Sequence, residues 1–99
     1  MTSPLGPTPS LNALRAFEAA SRHLNFRLAG LELGVTQGAV AQQIRALEAE
    51  LGLKLFERQP RTLVLTHNGQ RYAKDVRRAF EMLANATQGL RPELQHVTV

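Results

Sequence analysis

The feature that most constrains the fold is a pair of helical patterns separated by a very short turn. The first pattern ends at Gly34, and glycine readily adopts the left-handed conformation that terminates helices. The second begins after Thr36, a residue type favoured at helix N-caps. Only Val35 lies between the two caps. Two helices joined so tightly pack against each other at an angle, so the sequence predicts a helix-turn-helix.

Apolar residues recur at helical spacing on both sides of this turn. The pattern predicts a first helix over residues 11–23 with Ser10 as its N-cap, and a second helix with Asn25 as its N-cap. The third helix should begin at Gln37 and end at Gly52. Its buried stripe is predicted to consist of Val40, Ile44, Leu47 and Leu51.

After the third helix the pattern changes from helical to β-prone. Residues 59–61 include a proline and form a turn candidate, and residues 62–65 are rich in β-formers. We predict a two-stranded hairpin with the basic residues Arg58 and Arg61 at its tip. Thr66 should then cap a last helix, which Pro92 closes.

The last helix carries an apolar stripe whose members alternate steps of three and four residues. The stripe either belongs to the core of its own domain or forms the seam of a dimer. The dimer is favoured because a helix that projects from so small a domain has little of its own chain to cover it. Gly69, near its start, would permit a close backbone approach. The predicted dimer interface comprises Tyr72, Val76, Ala79, Phe80, Leu83 and Leu90.

Twelve lysines and arginines stand against eight acidic residues, so the formal net charge is +4. A basic balance suits a polyanion such as nucleic acid or an anionic membrane surface, although simple solubility explains it equally well. The absence of cysteine excludes disulfides and thiolate metal sites. No stretch is long and apolar enough for a membrane span, and no signal peptide is evident.

Catalysis is not expected from this sequence. The histidines His23, His67 and His96 are far apart, and none has metal-ligand spacing with another histidine or an acid. No glycine-rich phosphate loop or nucleophile motif is present. We therefore expect no catalytic residue, no metal and no cofactor.

The outward side of the third helix is predicted to carry Ala41, Gln42 and Arg45. Glutamine pairs with adenine, and arginine reaches guanine or a phosphate. The same residues also suit an ordinary solvated face, and a helical interaction module that does not bind DNA is the rival function. The basic hairpin favours DNA. DNA binding predicts that one face is lined by Arg27, Arg45, Arg58 and Arg61, whereas scattered arginines would favour the interaction module.

Between residues 14 and 69 the chain resembles the LysR-type bacterial transcription regulators, and in particular the branch of glycine-cleavage and β-lactamase activators. The matching residues cover more than half of the chain. They are Leu14-Arg15-Ala16-Phe17, Phe26, Ala29-Gly30, Val35-Thr36-Gln37-Gly38-Ala39-Val40, Gln43-Ile44, Leu47-Glu48, Leu51-Gly52, Leu55-Phe56, Arg58, Leu65-Thr66 and Gly69.

The resemblance implies a mainly α fold, a winged helix-turn-helix of three helices and a small two-stranded wing, followed by a long dimerisation helix. It implies a cytoplasmic protein that binds double-stranded promoter DNA, forms an antiparallel homodimer and becomes a tetramer at full length. A C-terminal domain, absent here, would bind a small-molecule effector. The implied divisions are a flexible arm at 1–9, a DNA-binding domain at 10–66, a linker helix at 67–91, and the truncated start of the effector domain at 92–99.

The resemblance also assigns site residues. Base contacts fall on Gln37, Gly38, Ala41 and Gln42. Contacts to the DNA backbone fall on Phe26, Arg27, Thr36, Gln43, Arg58, Arg61 and Thr66, and the outward face adds Arg45.

Three departures from the family pattern put its usual base preference in doubt. Gly30 replaces a common alanine and should loosen the second helix, Ala41 replaces a serine, and Gln42 stands where a basic residue or histidine is frequent.

Overall fold

A computed structural model describes residues 8–91, in which four helices and one hairpin follow the predicted order. The predicted fold class, a winged helix-turn-helix followed by a long helix, is confirmed. The first seven residues of the predicted arm, the closing Pro92, His96 and the truncated strand lie outside the described residues. The elements are α1 Leu11–His23, α2 Phe26–Leu33, α3 Gln37–Leu51, β1 Phe56–Gln59, β2 Thr62–Leu65 and α4 His67–Gly89.

Each helix begins at the predicted N-cap, where a side-chain oxygen accepts a backbone N–H that the helix itself leaves unpaired. Gly34 and Gly52 adopt the left-handed conformation at φ 73° and end α2 and α3, as predicted. In each cap a backbone N–H donates to the oxygen of the capping side chain three residues earlier. The four bonds are Ala13 N–H to Ser10 Oγ at 3.1 Å, Leu28 N–H to Asn25 Oδ1 at 2.8 Å, Ala39 N–H to Thr36 Oγ1 at 3.0 Å, and Gly69 N–H to Thr66 Oγ1 at 2.9 Å.

The core lies where α1, α2 and α3 meet the base of the wing. Phe17 of α1 is fully buried, and its ring centroid lies 5.7 Å from that of Phe56 and 5.5 Å from that of Tyr72. One aromatic ring thus joins α1 to the wing and to α4. The predicted α3 stripe packs here: Val40, Ile44 and Leu47 are buried and Leu51 is half-buried.

Gly30 lies against the turn between α2 and α3. A Cβ atom at this position would lie 2.6 Å from the carbonyl oxygen of Val35 and 3.2 Å from the carbonyl carbon of Thr36. The Gly30 carbonyl also accepts the Val35 N–H at 2.9 Å. The small residue therefore lets the turn close tightly over α2, which runs without a break from Phe26 to Leu33.

The first half of α4 packs on its own domain. Val76 is 6 % exposed within the core, and Tyr72 packs beside it against Phe17, so the prediction that both lie in a dimer seam is wrong. The close approach predicted at Gly69 is likewise within the chain, because a Cβ atom on this glycine would lie 2.1 Å from the Leu55 carbonyl oxygen. These residues attach α4 to α1 and to the base of the wing.

A surface network of charges braces α1, α2 and α4. Arg22 pairs with Glu18 of its own helix at 2.6 Å and also with Glu32 of α2. His23 contacts Glu32 at 2.8 Å, and Arg77 of α4 lies 3.7 Å from Glu18. The hydrogen bonds from Arg22 and His23 lower the pKa of Glu32 below its ordinary value. The carboxylates of Glu18 and Glu32 are thus engaged by basic residues of α1 and α4.

Candidate nucleic-acid interface

Two adjoining clefts lie between the wing and the helices beside it. One is bordered by the start of α2, the start of α3 and the hairpin tip, and the other by the middle of α3 and strand β1. They share Phe26, Arg58, Gln59 and Leu63, so they form one continuous surface. We call this surface the helix–wing face; its polar and charged members include Arg27, Gln37, Arg45, Lys54, Arg58 and Arg61.

The four arginines that distinguish DNA binding from a pure interaction module come together on the helix–wing face. Arg27, Arg58 and Arg61 line the first cleft with Gln37, and Arg45 lines the second. All four are exposed. Among the ion pairs of residues 8–91, none involves these four guanidinium groups. They are thus exposed positive charges that no ion pair engages, beside the two carboxylates Glu48 and Glu57 that line the second cleft, and the excess of arginines suits a polyanion.

The hairpin forms where it is predicted and carries these charges beside α3. Strands β1 and β2 are antiparallel, with Arg58 opposite Leu63 and Gln59 opposite Thr62. Arg61 lies in the turn with a left-handed φ of 67°. Arg58 sits in the strand just before that turn, with its guanidinium carbon 5.9 Å from the centroid of the Phe26 ring.

The start of α3 presents its predicted reading residues to the outside. Thr36, Gln37, Gly38 and Gln42 are all exposed, and a Cβ atom on Gly38 would meet nothing within 4 Å. Gln43 lies elsewhere, in a cleft between α3 and α1 that is bordered by Arg15 and Val35. A partner that entered the helix–wing face would therefore meet Gln37, whereas Gln42 is exposed on α3 outside the residues that line the two clefts.

The prediction that Ala41 lies on the exposed face is wrong. Ala41 is 8 % exposed and forms part of the wall shared with Ile44, Phe56 and Leu63. Helical periodicity alone gives no sign that this position of α3 is buried in the folded chain. A serine at this position, as in the family pattern, would therefore place its hydroxyl on the inner wall of the cleft.

The expected contact of Thr66 with the DNA backbone competes with hydrogen bonds that this residue makes inside the chain. Its hydroxyl donates to the Lys54 carbonyl at 2.7 Å, and its backbone N–H donates to the Leu55 carbonyl at 3.0 Å. Both of its donors are thus used inside the chain, and none remains for a phosphate oxygen. Phe26 also has an internal role, since its half-buried ring packs edge-on against Phe56 at 5.6 Å.

Sequence reasoning did not single out Glu48, which lies off the predicted apolar stripe of α3. The residue is only 8 % exposed, and its Oε2 accepts the backbone N–H of Leu55 at 2.8 Å and that of Phe56 at 3.2 Å. Lys54 Nζ lies 3.8 Å from the other carboxylate oxygen. A glutamate beside an apolar stripe is typical of a solvated helix face, so periodicity could not single it out.

Comparison with known proteins agrees with this geometry. Residues 11–70 match the model of the family described as bacterial regulatory helix-turn-helix proteins of the lysR family. The chain is 55 % identical over 82 residues to the glycine cleavage system transcriptional activator of Escherichia coli K12. The matched segment covers 83 % of this chain and 27 % of that protein. It is 55 % identical over 78 residues to the transcriptional activator AmpR of Providencia stuartii, covering 79 % and 27 % of the two chains. The chain thus spans about a quarter of the length of these curated relatives.

Two similar solved structures are isolated domains in complex with DNA. The CbnR_DBD–DNA complex matches with a TM-score of 0.74 and 32 % identity, covering 86 % of this chain and 98 % of that one. The BenM_DBD complex with benA site 1 DNA matches with a TM-score of 0.69 and 28 % identity, covering 90 % and 97 %. The family model, the relatives and the fold agree: the chain belongs to the LysR family of bacterial regulatory helix-turn-helix proteins.

Proposed function

We propose that this chain is the DNA-binding part of a bacterial transcription regulator and that it recognises double-stranded promoter DNA in a sequence-specific way. The observation that carries the proposal is the helix–wing face, on which Arg27, Arg45, Arg58 and Arg61 lie without acidic partners beside the exposed start of α3. Relatives named as transcriptional activators and similar domains solved with DNA support it. A pure interaction module would not need four unpaired arginines on one face.

In the proposed complex α3 enters the major groove, and the wing lies on the backbone or in the adjacent minor groove. Gln37 has the donor and acceptor needed to pair with adenine, and Gln42 lies about one helical turn after Gly38. Gly38 has no side chain, which lets the start of α3 approach the base edges closely. Arg27, Arg58 and Arg61 would bind phosphates, whereas Arg45 reaches a phosphate or a guanine.

The proposal predicts a steep dependence of binding on salt. Each neutralised phosphate releases counterions, so the slope of log affinity against log salt approaches about −0.9 for each contact. The chain should be titrated against a promoter-sized duplex at several salt concentrations, with fluorescence anisotropy as the readout. A slope of about −3 or steeper agrees with several arginine–phosphate contacts. A flat response would rule the proposal out.

Gln37→Ala is expected to weaken binding to the cognate duplex by about 1–3 kcal/mol, or roughly 5- to 150-fold, and to relax the preference at one base pair. The reason is that the variant loses a base contact and keeps the arginines. Gln70→Ala, at an exposed position of α4, is the matched control and should bind like the parent. If Gln37→Ala lost equal affinity for cognate and random duplexes, Gln37 would be a backbone contact instead.

We further propose that the chain forms a homodimer through the part of α4 that projects beyond the core. Phe80 is half-buried where it packs against the core, whereas Ala79 is exposed, and Leu83 and Leu90 are 55 % and 83 % exposed further along the helix. A two-fold dimer would read two half-sites about 34 Å apart or a multiple of this distance. In the full-length protein we expect a tetramer, a C-terminal domain that binds a small-molecule effector, and a location in the cytoplasm with the chromosome.

Leu83→Glu is expected to convert the dimer into a monomer, because it places a charge in the apolar seam. Sedimentation velocity at matched concentrations measures the change. Asn85→Glu is the control, since Asn85 is exposed and, two residues after Leu83, lies on the opposite side of α4, and this variant should remain dimeric. An unchanged dimer in Leu83→Glu would place the interface elsewhere.

A further inference from the structure

The base of the wing is attached to α3 by one buried carboxylate. The Glu48 Oε2 atom accepts two consecutive backbone N–H groups, from Leu55 at 2.8 Å and from Phe56 at 3.2 Å. Leu55 immediately precedes strand β1, and Phe56 is its first residue. The pairing of β1 with β2 begins at Phe56, so it provides no partner for the Leu55 N–H. Hydrogen bonds to an ionised acceptor are roughly twice as strong as neutral ones. Glu48 therefore ties the first residues of the wing to the last turn of the helix that we expect to read DNA.

The same segment is held from its other side by the start of α4. Thr66 donates its hydroxyl to the Lys54 carbonyl and its backbone N–H to the Leu55 carbonyl. Gly69 lies so close to the Leu55 carbonyl that no side chain fits between them. The N–H groups of the segment thus point to α3 and its carbonyls to α4. With Glu48 removed, the carbonyl side would remain attached and the α3 side would be free to move.

The position of this segment determines where Arg58 points relative to α3. Side chains alternate along a strand, so Arg58 lies on the same side of β1 as Phe56, the residue whose N–H Glu48 binds. The Phe56 ring packs on Phe26, and the Arg58 guanidinium carbon lies 5.9 Å from the centroid of the same Phe26 ring. A shift of the strand start would move the arginine with it.

We propose that Glu48 is a positioning residue that fixes the wing on α3, so that Arg58 and the recognition helix engage DNA as one rigid unit. The inference rests on the proposed function, and it adds to that function a buried residue that does not itself touch DNA. Its distinctive consequence is that the effect of Glu48 on DNA affinity depends on the presence of Arg58.

The test is a double-mutant cycle on the chain with Glu48→Gln and Arg58→Ala. Glutamine keeps the size of the side chain but loses the charge that strengthens both hydrogen bonds. Glu48→Gln should weaken binding to a promoter-sized duplex about tenfold when Arg58 is present and less than about twofold in the Arg58→Ala background. Glu50→Gln, at an exposed position two residues further along α3, should leave the affinity unchanged. Equal losses in the two backgrounds would overturn the proposal.

A second measurement needs no DNA and separates this inference from the proposed function. In Glu48→Gln the amide hydrogens of Leu55 and Phe56 should exchange with solvent at least about tenfold faster, while those in the middle of α1 stay protected. Unchanged exchange at both amides would overturn the anchoring role even if the chain binds DNA. Faster exchange in a chain whose parent fails to bind DNA would support the anchor and reject the proposed function. If Glu48→Gln does not fold, Glu48→Asp takes its place. Aspartate keeps the charge, but its shorter side chain does not reach the two N–H groups, so the Leu55 and Phe56 amide hydrogens should again exchange faster.

Discussion

Gly69→Ala is expected to destabilise the domain by about 3 kcal/mol, because overpacking a tight site costs about 1–3 kcal/mol and more where backbone must move. The new Cβ atom would lie 2.1 Å from the Leu55 carbonyl oxygen and 3.0 Å from Leu65 Cδ2. The first of these is a backbone atom and cannot rotate away, so α4 and the base of the wing must separate. The gain in helix propensity from glycine to alanine, about 1 kcal/mol, offsets only part of this cost.

Thermal denaturation followed by circular dichroism measures the loss, at one protein concentration for all variants. For a domain of this size, about 3 kcal/mol corresponds to a decrease in Tm of more than about 10 °C. Gly38→Ala is the matched control, because a Cβ atom there meets nothing within 4 Å, and its Tm should rise slightly or stay the same. If the two alanine variants melted together, α4 would not approach the wing as closely as described.

Replacing Arg27, Arg58 and Arg61 together with alanine is expected to weaken DNA binding on the order of 10³-fold. Hydrogen bonds to charged groups contribute about 1.5–3 kcal/mol each, so three at the lower value give roughly 4.5 kcal/mol. The slope of log affinity against log salt should also become shallower by about 2–3, since about 0.9 is lost with each phosphate contact. The fold should survive, because all three side chains are exposed and none of the ion pairs among residues 8–91 includes them.

The control for this variant removes the same charge from another surface. Arg71, Lys74 and Arg78 are exposed on α4 and line neither cleft of the helix–wing face. Replacing them with alanine lowers the formal net charge of +4 by the same three units. We expect this control to lose far less affinity and to keep a salt slope close to that of the parent. Equal losses in the two triple variants would mean that net charge, rather than the helix–wing face, attracts the DNA.

Local rules were sufficient to predict the elements of this fold. A cap depends on one side chain and the next three residues, which is why Ser10, Asn25, Thr36 and Thr66 could be assigned from the sequence as N-caps. The α3 stripe and the hairpin turn also depend on spacing within a short window. The arginines of the helix–wing face could be named in advance because helix order and the wing place them near one another.

Features that depend on contacts between distant segments could not be predicted in this way. Ala41 has the spacing of an exposed residue, but in the folded chain it is 8 % exposed and lines a cleft with Phe56 and Leu63 of the wing, more than a dozen residues later. The stripe of α4 is periodic throughout, and nothing local shows that Val76 is in the core whereas Leu83 is 55 % exposed. Glu48 looks solvated in sequence because its partners are backbone N–H groups, which every residue type except proline carries.

The central claim, that the helix–wing face binds DNA, is tested most directly by mapping the bound surface with NMR. Backbone amide and arginine side-chain shifts of the 99-residue chain would be followed while a promoter-sized duplex is added. We predict that the largest changes cluster at residues 25–27, 36–45 and 57–62, and that the exposed end of α4 after residue 82 changes little. Changes confined to α4, or no changes at low salt, would contradict the account.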